Sequence, residues 1–134
     1  MYKCKKFSLK ELVSKDVYNR FGEKAWEFFD DRILMTADQL REKFGKAIIN
    51  DWEWGGKFDS RGFRAPSDKD GAEFSAHRRG QALDMVFAKV TAAEIRRYIL
   101  EHPQEFPYIN ALEKDVSWLH IDTRNCVRIK SFKG

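Results

Sequence analysis

The sequence predicts an α+β domain, a small and mainly antiparallel sheet with helices packed on one side. Helix-start signals crowd the first part of the chain and recur once later, while strand-like apolar runs fill the second half. Helices first, then strands mixed with one helix, is the order of an α+β fold rather than of alternating βαβ units. At 134 residues the chain suits one compact domain, residues 1–134, and is too short for two. Folding at this size buries roughly two-thirds of the surface of the unfolded chain, enough for a core.

Three capping boxes mark helix starts, each a Ser or Thr followed three residues later by Glu or Gln. They are Ser8 with Glu11, Thr36 with Gln39, and Thr91 with Glu94. An apolar pair staples each cap: Phe7 with Leu12, Met35 with Leu40, Val90 with Ile95. The first helix is expected to run weakly to about Val13. A helical stretch over 23–29 places Trp26 and Phe29 on one core-facing stripe. The helix over 37–44 ends at Gly45, a residue suited to a left-handed C-terminal position. The last helix runs from Ala92 to about Glu101 and stops near His102, because Pro103 follows.

Strand signals lie between and after these helices. Residues 46–50 contain Ala-Ile-Ile. Residues 81–88 alternate poorly and read as a strand buried on both faces, with Asp84 a polar intruder. Residues 117–123 and 126–131 read as the two arms of a terminal hairpin around Arg124-Asn125. Residues 51–76, rich in Gly, Asp, Ser and Trp, form a long loop region with at most a short strand near Phe63. Long loops in compact domains are often functional.

Eleven Phe, four Trp and four Tyr make the composition globular rather than disordered. The net charge of +4 is modest, and basic residues are dense only at Lys3-Cys4-Lys5-Lys6 and His77-Arg78-Arg79. Such runs attract polyanions in general. No clustered basic face or aromatic RNA-binding motif accompanies them, so a nucleic-acid module ranks last among the readings. Cys4 and Cys126 lack a C-x-x-C spacing, which argues against a structural zinc site or a redox pair and leaves their pairing open. No apolar stretch follows the basic N-terminus, so neither a secretory signal nor a membrane-spanning helix is expected. His102 reads as a structural residue at a helix end. Asp30-Asp31 and Asp68 with Asp70 read as carboxylates of solvated turns, with no calcium loop completed.

The chemistry-bearing segment is Ser75-Ala76-His77-Arg78-Arg79-Gly80-Gln81-Ala82-Leu83-Asp84. It sets a histidine in a loop, a glycine at a turn, and a carboxylate inside an apolar strand. Burying that carboxylate is costly unless it is paired or bound to metal. Alone, Asp84 could accept backbone hydrogen bonds or pair with an arginine. The second segment is Trp118-Leu119-His120-Ile121-Asp122, whose strand alternation puts Trp118, His120 and Asp122 on one face. Two imidazoles and one carboxylate make a catalytic zinc set with a fourth position left for water.

The pattern S-x-H-x-x-G-x-A-x-D, followed by W-x-H-x-D, resembles the zinc D-alanyl-D-alanine carboxypeptidase and L-alanyl-D-glutamate endopeptidase family. That family includes phage endolysins and shares its fold with the hedgehog signalling domain. Upstream, Asn50-Asp51-Trp52 with Gly55-Gly56, then Arg61-Gly62-Phe63-Arg64, is similar to the segment before the first ligand in compact phage-type members. The resemblance covers about residues 33–124. It implies Zn2+ held by His77, Asp84 and His120, with Arg64 facing the substrate carbonyl or carboxylate. A guanidinium fixed there would stabilise negative charge developing on the substrate. Ser75 is expected to fix a ligand or the substrate by a hydrogen bond, and Trp52, with Trp54, to wall the cleft.

The chain departs from the pattern at Ser117. Many members carry Glu or Asp three residues before the second histidine as general base, and Ser cannot fill that role. Asp122 and Asp115 are the nearest substitutes, with Glu113 beside them, and Asp122 could alternatively orient His120. The function implied is a monomeric zinc peptidase acting on peptidoglycan stem or cross-bridge peptides, made in the cytoplasm and released to the wall in a phage or prophage setting. The competing reading is an inactive zinc-binding relative that recognises wall peptides or a protein partner.

Overall fold

Serine and aspartate caps divide the N-terminal third into helices. In the computed structural model, which describes residues 1–65, 76–124 and 130–132, helix α1 (Leu9–Leu12) starts at Ser8. The Ser8 N–H donates to the Glu11 carboxylate at 2.8 Å. Helix α2 (Lys15–Phe21) follows at once, and Ser14 Oγ accepts the Val17 N–H at 3.1 Å. Ser14 has no Glu or Gln three residues on, so a capping-box search passes over this helix. Residues Gly22–Phe28 form a 3-10 segment that buries Ala25 and Trp26, and Phe29 is buried beside them.

Helix α3 (Asp31–Phe44) begins earlier than the sequence predicts. Its cap is Asp30, whose carboxylate accepts the Arg32 N–H at 3.0 Å. Thr36 therefore lies inside the helix, with its hydroxyl donating to the Arg32 carbonyl at 2.7 Å. A Thr with Gln three residues later fits a helix interior as readily as a helix start, because the hydroxyl can bond back to the preceding turn. Met35 is exposed and staples nothing, and Asp30-Asp31 begin the helix rather than occupying a solvated turn. The helix stops at Gly45, whose φ is 87°.

Among the described residues five strands form one sheet: β1 (Ala47–Ile48), β2 (Ala82–Phe87), β3 (Ala111–Glu113), β4 (Leu119–Asp122) and β5 (Lys130–Phe132). Their order is β1-β2-β4-β3-β5. All neighbours are antiparallel except β3 and β5, which are parallel. Of the terminal hairpin expected from the sequence, residues 125–129 lie outside the described residues, and the described end of its second arm pairs with β3 rather than β4. Both sides of β4 are taken by β2 and β3, so β5 adds to the outer edge of β3. Strand β3, at three residues, is too short to show an alternation. No strand forms at Phe63; its N–H instead donates to the Leu12 carbonyl at 2.9 Å. Helix α4 (Ala92–Glu101) starts at Thr91, whose hydroxyl oxygen accepts the Glu94 N–H at 3.1 Å. No helix among the described residues is long and apolar enough to cross a membrane.

Strand alternation sorts the sheet into two faces. Leu83, Met85 and Phe87 of β2, Leu112 of β3, and Leu119 and Ile121 of β4 join the core with Ile33, Leu34 and Leu40 of α3 and Ile95 and Ile99 of α4. Asp84, His120 and Asp122 stand on the opposite face, and all three are buried. β2 is accordingly buried on both faces except at Val86.

Candidate metal centre

Strand register assembles two-thirds of the site. Asp84 of β2 pairs directly with His120 of β4, and residues so paired project side by side from one face. His77 comes from a separate 3-10 turn, Ala76–Arg79. Two glycines bring that turn in. Gly80 has φ 68°, and a Cβ there would overlap the Phe28 carbonyl oxygen; its own carbonyl accepts the Asp30 N–H at 2.8 Å. A Cβ on Gly62 would overlap the Leu12 carbonyl oxygen, and the Gly62 carbonyl lies 2.9 Å from His77 Nδ1. One ligand atom from each of His77, Asp84 and His120 then falls within 4.8 Å of the others.

Hydrogen bonds decide which nitrogen each histidine presents. His77 Nδ1 faces a carbonyl and so carries the hydrogen. That turns Nε2 to Asp84, 3.3 Å from Oδ2, as the nitrogen a metal would take. His120 sits between two carboxylates, with Nδ1 2.8 Å from Asp84 Oδ1 and Nε2 2.8 Å from Asp122 Oδ2. Burial by itself would lower the pKa of His120, but the bonds to Asp122 and Asp84 outweigh it and raise it to about 9. Burial works to raise the Asp84 pKa, yet hydrogen bonds from His120 and His77 hold that carboxyl well below its usual range. Asp122 is likewise held low against burial, first by His120 and then by Arg124.

These donors fit a metal ion. Two imidazole nitrogens and a carboxylate oxygen converge, and a cation among them would replace the proton shared by Asp84 and His120. Behind His120, Asp122 is fixed in turn by Arg124, through Nε at 2.9 Å and Nη2 at 2.7 Å. The ring of Phe132 packs edge-on against His120 with centroids 5.3 Å apart. A carboxylate behind a ligating imidazole fixes its tautomer and strengthens it as a ligand.

The other sequence-predicted residues fall in different places. Arg64 is at the centre: its Nε donates to the Ser60 carbonyl at 2.7 Å and Nη2 lies 3.6 Å from Asp84 Oδ2. Asp122 has no exposed surface and both its oxygens are engaged, on the side of His120 away from Asp84. Asp115 is exposed in the β3–β4 turn with φ 63°. Trp52 turns elsewhere: its indole N–H donates to the Val13 carbonyl at 2.8 Å, and its ring lies near Tyr18. Ser75, Cys126, Asp68 and Asp70 lie outside the described residues. His102 is structural, stacked on Tyr98 at 4.1 Å.

A cleft of about 260 Å³ opens beside Asp84, with Lys57, Phe58, Arg61, Arg64 and Trp118 among its lining residues. Its aromatic walls are thus Phe58 and Trp118 rather than Trp52. The sequence offers a signal for Trp118, which shares the face of His120. It offers none that singles out Phe58 among eleven Phe, or the Arg124 that holds Asp122. No protein-family model, no curated protein and no solved structure matches this chain.

Proposed function

We propose that this chain is a zinc peptidase of the D-alanyl-D-alanine carboxypeptidase and L-alanyl-D-glutamate endopeptidase type, with their fold, acting on the peptides of bacterial cell wall. The observation that carries the reading is the buried convergence of His77, Asp84 and His120, with Asp84 lining a cleft, in the order of the motif the sequence resembles. Zinc bound there would supply a Lewis acid and lower the pKa of water towards about 7.

The chain's own residues supply the rest. Asp122, locked by Arg124, accepts the Nε2 hydrogen of His120 and keeps Nδ1 turned towards Asp84. Its buried position suits this positioning role better than that of a general base, which has to reach a water in the cleft. Arg64, tethered at Ser60, holds a guanidinium beside Asp84, where it can face the oxygen of a substrate amide. Trp118 and Phe58 flank the peptide. An inactive relative that only binds wall peptides remains the second reading, favoured by Ser117 standing where many members carry an acid.

Metal content measured with peptidoglycan hydrolysis tests the proposal. One zinc per chain and release of wall peptides by the wild type, both lost in His120→Ala, is the expected result. Zinc without hydrolysis of any wall preparation selects the binding-domain reading, and no bound metal overturns both.

A further inference from the structure

His120, Asp122, Arg124 and Phe132 close a ring of contacts. His120 Nε2 donates to Asp122 Oδ2 at 2.8 Å, and Asp122 is gripped by Arg124 through Nε at 2.9 Å and Nη2 at 2.7 Å. The Arg124 guanidinium in turn lies over the ring of Phe132, 4.3 Å from its centroid. That ring meets the His120 imidazole at 89°, with centroids 5.3 Å apart, and so completes the circuit. His120 and Asp122 belong to β4 and Arg124 follows it closely, whereas Phe132 comes from β5.

The strand that brings Phe132 is lightly secured. Among the described residues β5 stands at the edge of the sheet, spans three residues and pairs with β3 alone. Its register sets Phe132 beside Glu113, and the Phe132 carbonyl accepts the Lys114 N–H at 2.7 Å. A short edge strand with few backbone bonds opens locally at much less cost than global unfolding. Docked, β5 gives the guanidinium a π-face to rest on and the imidazole an aromatic wall. Undocked, it takes both away, and the orientation of the His120 ring is held less closely.

We infer that Phe132 is a positioning residue of the metal centre, and that docking of β5 and loading of the site with metal favour one another. The inference rests on the metal centre proposed above and extends it to a strand outside the ligand set. Phe132 offers no ligand atom and acts through His120 and Arg124. The coupling is reciprocal: a metal that binds the docked form more tightly stabilises docking by the same factor.

The test uses the full chain with zinc alone as the ligand. In the wild type, the Lys114 amide should exchange with deuterium more slowly when zinc is bound, because its acceptor lies on β5. Zinc affinity, read by competition with a chelating dye, should fall about three- to tenfold in Phe132→Ala, the worth of one aromatic contact. Phe132→Tyr keeps the ring and should restore the affinity, whereas Phe132→Leu, which keeps bulk without a π-face, should restore only part. Phe44→Leu alters a half-buried aromatic that meets Phe87 and Tyr98 instead, so it should lower the melting temperature and leave zinc affinity unchanged. Unchanged affinity in Phe132→Ala, an equal loss in Phe44→Leu, or wild-type Lys114 exchange indifferent to bound zinc overturns the inference and leaves the metal centre standing. A wild type that binds no zinc overturns the metal centre, and the inference falls with it.

Discussion

At the scale of single residues, His120 is where the chain's electrostatics concentrate. Its Nε2–H is accepted by Asp122, and in the absence of metal its Nδ1–H is accepted by Asp84. Asp122→Asn keeps the volume but removes the charge that orients the ring and strengthens it as a ligand. Metal affinity is expected to fall about 10- to 100-fold, measured by competition with a chelating dye, with little change in the fold. The raised pKa of His120 also sets a pH dependence for the metal-free protein. Its folded value, about 9, lies above the ordinary 6.5. The stabilisation is therefore complete below about 6.5 and is lost as pH rises through about 9. Melting temperatures taken with a chelator present should decline across that window, and the decline should be absent in His120→Gln. The candidate ligands Asp84 and His120 are legible in the sequence because a carboxylate inside an apolar strand and a histidine of the right strand parity are visible without coordinates, whereas His77 is singled out by the motif alone. The part of Arg124 is not legible, since holding Asp122 in place depends on what surrounds a side chain in space.

At the scale of elements, caps explain both what the sequence predicts and what it misses. Thr91 caps α4 as its local pattern says, whereas Thr36 has the same pattern and sits in mid-helix, because Asp30 caps α3 a turn and a half earlier. Asp30→Ala should destabilise the fold by about 1 kcal/mol. Asp30→Asn, which keeps an accepting oxygen, should recover most of that loss in urea titrations. If Thr36 were the true cap, the Asp30 substitution would have almost no effect. Glycine positions act on the same scale. A side chain on Gly80 would collide with the Phe28 carbonyl and strain a φ of 68°, so Gly80→Ala should displace His77 and weaken metal binding more than it lowers helix content by circular dichroism. The terminal strand illustrates a different limit. Its short apolar run suggests a hairpin arm, but the choice of partner depends on which edge is free, and β4 has none.

At the scale of the whole molecule, the α+β class follows from the order of helix and strand signals, whereas β2, buried on both faces, alternates too poorly for its core side to be read. Strand order does not follow, because β3 is too brief to read and the parallel pairing of β5 with β3 skips over β4 in sequence. The cleft, too, is a product of the assembled fold. The segment 57–64 lies beside β2, where Phe63 and Arg61 are tied by their backbones to Leu12 and Asp84, far away in the chain.

The pairing of Asp84 with His120 spans 36 residues, and this separation bears on the order of events during folding. Contacts so distant in sequence form only after the intervening chain has been closed into a loop, an entropic cost that local helices do not share. Helices α1, α2 and α3 can form before the two strands meet, but the ligand set cannot. Capture of a metal by these residues would then come after the folding barrier. Added zinc should slow unfolding in denaturant jumps while leaving the refolding rate nearly unchanged, the kinetic mark of an interaction absent from the transition state. For this chain, a tightly held ion would certify that folding is complete rather than help to start it.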